Sequence, residues 1–388
     1  MTLYLKAGRD KSCRHRHPWI FSGACASMPQ CQNGDIVAVH SADKKPLGWG
    51  MMSLGSSQIV CRMISFDMAP YLDTIKKKVL DAIQSRRSFF DEKKTTAYRL
   101  INAEGDLLPG LVVDQYGKTL VIQIGNAGME KLKPHILEIL IAECRPDWIY
   151  EKSQSPLRRQ EGLAPVEETI YGAPCEPVSI LENGLQFLVS PTTGQKTGFF
   201  LDQRNMRSYV REMAKGRRVL NCFSYTGAFS VAALAGGALH CDSVDICPES
   251  IGQVTNHIQL NGLASSCHHE YCADVFEFLR SMENLYDCII LDPPAFAKKK
   301  GDIIQAARGY KDIMRLALKN LAPNSYLLTC SCSYHVSEKL FRQILFSAAL
   351  EAKRDVRIIS KHRLAEDHPI DIYHLEGEYL KSFFCFVN

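Results

Sequence analysis

The sequence lacks the features that would place it in a membrane, in a secreted disulfide scaffold or around a zinc knuckle. No apolar run approaches the ~20 residues that span a bilayer. The best stretch, 229–239, is too short and contains two glycines. The N-terminus MTLYLKAGRD has no apolar segment of secretory type, and a cytoplasmic protein is expected. No CxxC pair occurs among the 15 cysteines, which argues against a zinc ribbon or an iron–sulfur cluster. Their odd number and their scatter from Cys13 to Cys385 exclude a disulfide framework. Most are expected to be small buried hydrophobes. The nearest approach to a metal cluster is Cys267, His268, His269 and Cys272. It has no second ligand pair nearby and reads as a polar loop, so no metal is expected. Internal repeats and low-complexity segments are missing too. So is GxGxxG, which weakens NAD and ATP readings.

What is present suits a globular chain of two or three domains: 388 residues, 46% hydrophobic and 23% charged. The net charge of +4 is modest, but its distribution is uneven. Residues 1–20 carry Lys6, Arg9, Lys11, Arg14 and Arg16 with His15 and His17, against Asp10 alone. Beside Trp19 and Phe21, such a cluster suits phosphate contact with base or ribose stacking. The bland alternative is a solvated arm.

Three regions differ in pattern. Residues 1–70 hold short alternating runs such as GDIVAVHS, PLGWGMMS and SQIVCRMISF, bracketed by turn signals such as Asn33-Gly34. They read as a small β-barrel-like module. Residues 71–180 read as a small α+β domain. It has a helix over 72–92 whose outer face carries Lys76, Lys77, Lys78, Arg86 and Arg87, hairpin strands, a helix over 129–144 and the strand DWIYEKS. Its last part, 153–178, is polar with Pro and Gly and reads as a linker or flap. From 181 to 388 strands and helices alternate, which demands a mostly parallel sheet with helices on both faces and an antiparallel last strand.

Within this third region the residues with chemistry fall at strand ends. VLNCFSYTGAFS, residues 219–230, reads as strand, small-residue turn and helix. Asn221, Phe223, Tyr225, Thr226 and Gly227 line the turn, and Gly227 is expected to let the backbone approach a ligand. Asp245, eighteen residues later, ends the next strand, where a carboxylate can accept ribose hydroxyls. Asp274 ends the third strand and suits an adenine amine; LDPPAF ends the fourth with Asp292, Pro293 and Pro294. Each Asp alone could be a helix N-cap; their order along the chain points to a cofactor without phosphates.

NCFSYTGAFS, VDI, AD, DPPAF and TCSCS resemble the class I S-adenosylmethionine methyltransferases. Within these the chain resembles, almost end to end, the large-subunit ribosomal RNA cytosine-carbon-5 methyltransferase I family. LKAGRDKSCRHRHPWIFSGA resembles that family's N-terminal PUA domain, and RLINAEGDLLPGLVVDQYG its central domain. The resemblance implies that GQKTGFFLDQRNMR, residues 194–207, packs over bound S-adenosylmethionine through Gln195, Lys196, Thr197 and Phe199, with Arg204 less securely. A β-hairpin leading into a helix is the bland alternative for this stretch. The resemblance also implies large-subunit ribosomal RNA as partner and is compatible with a homodimer.

Methylating a ring carbon of cytosine requires a nucleophile, because the carbon is a poor one itself. A thiolate adding to carbon 6 activates carbon 5. Cys330 and Cys332 in TCSCS, at the end of the fifth predicted strand, supply such thiols. Cys332 is preferred, because it sits further out and matches the Ser-Cys-Ser pattern of the resembling family. Asp292 is expected at the base edge, protonating ring nitrogen 3, with the Pro293 carbonyl on the 4-amino group and Phe296 stacking on the flipped base. The alternative for Asp292 and Phe296 is a loop cap and a core ring. Lys298, Lys299 and Lys300 read as phosphate contacts or as a solvated loop. Competing functions are methylation of a base nitrogen such as guanine, methylation of uracil carbon 5, a non-catalytic RNA-binding protein and a small-molecule methyltransferase.

Overall fold

The computed structural model describes residues 1–55, 58–282, 285–362 and 364–388. Contacts group them into two units. The first comprises Met1–Gly184, Leu188–Leu201 and Glu366–Gly377; the second comprises Leu185–Phe187, Asp202–Ala365 and Glu378–Asn388.

Two large sheets, each centred on its own core cluster, lie in the first unit. The N-terminal sheet has six short strands, in spatial order Trp19–Phe21, Ile59–Met63, Pro46–Met52, Ile36–His40, Thr2–Leu5 and Cys25–Ser27. Alternation buries Leu3, Leu5, Val37 and Val39 on one side, over Cys13, Ile20 and Cys61. Of the run SQIVCRMISF, Ser57 lies outside the described residues. The second sheet joins Ala97–Asn102, Leu111–Tyr116, Thr119–Ile124, Trp148–Ser153 and Val166–Gly172, and helices Tyr71–Phe89 and Ala127–Cys144 share its core.

Two expectations for this unit change. Residues 153–178 are not a linker: they form the helix Pro156–Gln160 and the strand Val166–Gly172, which pairs antiparallel with Trp148–Ser153. That strand lies at the sheet edge and is mostly exposed, so its composition is polar. The basic face of the first helix is also narrower than expected. Arg86 falls on the apolar stripe of Ile75, Val79, Ala82 and Ile83. Its guanidinium grips Asp106 at 2.6 and 2.7 Å and donates to the Asp367 carbonyl. Lys78 also turns inward, to the carbonyls of Ile64 and Leu107, and burial lowers its pKa to about 8.

The second unit contains a seven-stranded sheet. Its strands are β1 (Arg218–Cys222), β2 (His240–Asp245), β3 (His268–Cys272), β4 (Tyr286–Leu291), β5 (Leu321–Ser331), β6 (Val356–His362) and β7 (Lys381–Val387). Their spatial order is 3-2-1-4-5-7-6; β7 pairs antiparallel with both β5 and β6, and the other pairings are parallel. Helices α1 (Arg204–Met213), α2 (Ala228–Ala235) and α3 (Val254–Leu260) pack together, as do α4 (Val275–Ser281), α5 (Ile303–Lys319) and α6 (Glu338–Ala352). Central strands β1, β4 and β5 bury Leu220, Ile289, Leu291 and Leu327, as a parallel sheet covered on both faces requires. The order reverses between β1 and β4, so the ends of β1, β2, β4 and β5 frame the crevice where open α/β sheets bind ligands.

Candidate active site

The turn between β1 and α2 alternates left-handed residues: Phe223 at φ 59°, Tyr225 at 49° and Gly227 at 79°. Two non-glycine residues held there store strain, a feature that gathers at functional loops. The turn is pinned by Ser224 N–H donating to the Val244 carbonyl at 3.0 Å and by the His257 ring at 2.8 Å from the Thr226 carbonyl. Gly227 is needed for a reason other than the one expected. A Cβ there would lie 2.4 Å from the Val254 side chain, so packing against α3 by itself requires glycine. Asn221 is 1% exposed and donates to Ser230 at 2.9 Å, which joins Ser243 and then His268 in a buried polar chain. Asn221 Oδ1 and Ser224 Oγ are buried and unpartnered among the described residues.

Asp245, half-buried at the end of β2, accepts from the N–H of Tyr225 at 2.8 Å and of Cys247 at 2.9 Å. It therefore organises the turn while keeping lone pairs for another donor. Asp274 caps α4 by accepting from Glu277 N–H at 3.0 Å. This is the bland reading of that residue, compatible with a second contact through its other oxygen.

The stretch 194–207 divides between the units at Leu201/Asp202. In the first unit Gln195 and Lys196 are exposed, whereas Thr197 and Phe199 are buried. Thr197 donates to Asp114 at 2.6 Å and lies 2.9 Å from the Tyr116 hydroxyl, so its side chain anchors the loop. Lys152 fastens the same loop by donating to the carbonyls of Pro191, Thr192 and Gly194 at 2.8, 3.0 and 2.6 Å. In the second unit Gln203 donates to Asp292 at 2.9 Å. Neither Lys152 nor Gln203 carries a local sequence signal for its role, because their partners lie 39 and 89 residues away.

The pattern TCSCS acquires a physical explanation. Ser331 and Ser333 are fully buried and both bond to the Tyr310 hydroxyl at 3.0 Å. Ala297 N–H, from the loop after β4, donates to Ser333 Oγ at 3.2 Å. The two serines thus lock the end of β5 to the DPPAFA loop. Cys332 lies between them, just past the strand, only partly buried, with Sγ 4.0 Å from the Pro293 carbonyl. Cys330 is 0% exposed, and burial, reinforced by the Asp292 carboxylate, holds its thiol well above the usual value of 9. It is protonated and shielded, unlike a reactive cysteine.

Lys381, at the start of β7, was not foreseen. Only 8% exposed, it donates to the carbonyls of Ser333 at 2.6 Å and Tyr379 at 2.7 Å. Burial lowers its pKa to about 8, and the Cys332 thiolate acts on it in the opposite direction. A buried cation, a thiol and a proline carbonyl therefore gather at one strand end.

Other expected contacts resolve differently. Phe296 is half-buried between Tyr310, 4.6 Å away, and Phe276, and its ring belongs to the core. Trp19 donates to Glu104 at 3.0 Å and packs on His374, so it is not an open stacking platform; Phe21 is 45% exposed. Lys298, Lys299 and Lys300 are exposed. Cys267, His268, His269 and Cys272, expected as a polar loop, lie instead on a short helical turn and on β3, with His268 buried and His269 exposed.

Asp245, Asp274, the strained turn and two unpartnered buried oxygens suit a ligand rich in hydroxyl and amine donors rather than phosphate. The model of the S-adenosylmethionine-dependent methyltransferase family matches residues 137–356, and that of the PUA-like domain matches 3–66. The chain is 40% identical over 388 residues to ribosomal RNA large subunit methyltransferase I of Shewanella denitrificans, covering 98% of both. Against the protein of that name from Aeromonas hydrophila it is 43% identical over 392 residues, again covering 98% of both. Among solved structures, a protein described as a SAM-dependent methyltransferase from Streptococcus mutans superposes with a TM-score of 0.84 at 26% identity, over 100% of both chains. A methyltransferase structure described as complexed with SAH superposes at 0.85, with the same identity and coverage.

Proposed function

The chain belongs to the ribosomal RNA large subunit methyltransferase I family of S-adenosylmethionine-dependent methyltransferases, and on that footing we propose that it methylates carbon 5 of a cytosine in large-subunit ribosomal RNA. Its cofactor is S-adenosylmethionine. Asp245, Asp274 and the turn 223–227 would hold the cofactor. When bound it supplies the methyl group as an electrophile. We keep the division into an RNA-binding module (1–70), a central domain (71–180) and a methyltransferase domain (181–388). An open groove of about 450 Å³ lined by Tyr4, Lys6, Ala26 and Lys44 gives the first module an aromatic and two ammonium groups for RNA. Action on ribosomal RNA is consistent with a cytoplasmic protein.

The observation that carries the cytosine reading is Cys332, held between two buried serines beside the Pro293 carbonyl and near the Lys381 ammonium. Cys332 Sγ, as thiolate, adds to cytosine carbon 6 and forms the C–S bond. Ring nitrogen 3 takes a proton from Asp292, oriented by Gln203, and the Pro293 carbonyl accepts from the 4-amino group. Carbon 5 then takes up the methyl group. Loss of the carbon-5 proton to a water molecule acting as base re-forms the 5,6 double bond, the C–S electrons return to Cys332, and ring nitrogen 3 returns its proton to Asp292. Lys381 stabilises the thiolate before attack and again as it leaves. Methylation of a base nitrogen needs none of this apparatus; uracil carbon 5 would use the same thiol.

The test is to incubate the protein with radiolabelled S-adenosylmethionine and large-subunit ribosomal RNA lacking modifications, then identify the labelled nucleoside. 5-Methylcytidine is expected. A labelled methylguanosine would refute the carbon-5 reading and leave the family assignment standing.

A further inference from the structure

At the amino end of the parallel strands, away from Asp245 and Asp274, three donor side chains meet. His240 opens β2, Asp242 follows two residues later on the same face, and His269 stands opposite Asp242 on the edge strand β3. His240 Nε2 is 2.9 Å from Asp242 Oδ1 and 3.2 Å from His269 Nδ1. His269 Nδ1 is 3.7 Å from the same carboxylate oxygen. An ion held at ~2.0–2.1 Å by tetrahedral ligands sets neighbouring donors about 3.3 Å apart, and the three observed separations straddle that value.

Hydrogen bonding serves this arrangement poorly. His240 Nε2 carries at most one proton yet faces two acceptors. If it donates to Asp242, His269 Nδ1 meets a proton already used. If His269 Nδ1 is itself protonated, 3.7 Å is too long for it to reach the carboxylate. A cation engages all three lone pairs together. Asp242 is set for this. Its other oxygen accepts from the Tyr286 hydroxyl at 2.5 Å, which fixes the carboxylate with Oδ1 towards the histidines; such outer partners are what orient metal ligands. Asp242 is buried, His240 half-buried, and the His269 side chain 66% exposed, so an ion has a protein-side cage and an open solvent-side position.

We propose that His240, Asp242 and His269 form a three-ligand site for a divalent transition ion of the zinc class, which clips the edge strand β3 to β2. Two imidazoles and one carboxylate select such an ion over magnesium or calcium. The ion is remote from the strand ends used in methyl transfer, so this inference does not depend on the proposed reaction.

Zinc is titrated calorimetrically into the reduced, chelator-treated full chain, and thermal denaturation is recorded with and without it. Because fifteen free thiols also attract zinc, the comparison is with His269→Ala, an exposed position whose substitution spares the core, and with Cys272→Ser. One equivalent should bind, with affinity at least about 30-fold weaker in His269→Ala and unchanged in Cys272→Ser. The zinc-dependent rise in melting temperature should vanish with His269→Ala. Absence of binding, or binding and stabilisation indifferent to His269→Ala, overturns the proposal. Loss with Cys272→Ser alone also overturns it, and assigns the ion to thiols.

Discussion

Lys381→Met separates the electrostatic role of this lysine from a structural one. Its pKa of about 8, against the ordinary 10.5, means that burying the ammonium costs the fold on the order of 2–3 kcal/mol near neutrality. The folded value lies below the unfolded one. That cost is therefore in force below about pH 8 and lifts as pH rises from there towards 10.5. Methionine removes the cost but leaves the Ser333 and Tyr379 carbonyls without their donor, a loss of about 1–3 kcal/mol. The two nearly cancel, so melting temperature should change little. The thiol, however, loses a nearby positive charge. The two groups act on one another electrostatically, and at an effective dielectric of about 20 a neighbouring unit charge is worth on the order of a few kcal/mol. Alkylation of Cys332 by iodoacetamide, followed across pH by mass spectrometry of its peptide, should then be about 10–100-fold slower near neutrality in the variant. The profile should shift to higher pH without losing its plateau. Lys381→Arg should keep the wild-type profile. Identical profiles for wild type and Lys381→Met would refute the assignment.

Gly227→Ala places a Cβ 2.4 Å from Val254 at a φ of 79°; urea denaturation should show a loss of roughly 2–4 kcal/mol, and a loss below about 0.5 kcal/mol would contradict the packing account. Asp245→Ala should weaken S-adenosylhomocysteine binding about 10–100-fold by calorimetry, since a charged hydrogen-bond acceptor and the anchor of the 225–247 turn go together. Undiminished affinity would remove Asp245 from the cofactor site. Cys330→Ala should leave methyl transfer within a few-fold of wild type, because this thiol is fully buried and held protonated; an inactive but folded variant would reverse the choice between the two cysteines.

Periodicity and turn chemistry carried the elements well. The helix expected over 72–92 is Tyr71–Phe89, and that over 129–144 is Ala127–Cys144. The alternating third region folds into a doubly wound sheet with an antiparallel last strand. The acidic residues fall at or just beyond strand ends because position along a strand is a local property. What escaped was pairing at a distance. Arg86 looked like surface charge because Asp106 and Asp367 are distant in sequence. Phe296 looked like a stacking ring because Tyr310 lies on another element. Gln203, Lys152 and Lys381 each reach a partner 39 to 89 residues away, Asp292, Pro191 and Ser333 in turn, which no window of sequence displays. His240 and His269 likewise meet only because β2 and β3 are neighbours. The serines of TCSCS were legible as a motif but not as the clamp that they form with Tyr310.

The covalent role of Cys332 is tested most directly by offering the protein S-adenosylmethionine and a ribosomal RNA fragment containing 5-fluorocytidine. Fluorine at carbon 5 cannot leave as a proton does, so elimination of the thiol stalls after methyl transfer. The account predicts a protein–RNA adduct that survives denaturing electrophoresis, maps to the Cys332 peptide and is absent in Cys332→Ser but present in Cys330→Ala. An adduct on another residue, or methyl transfer to ordinary cytidine by Cys332→Ser at the wild-type rate, would contradict it.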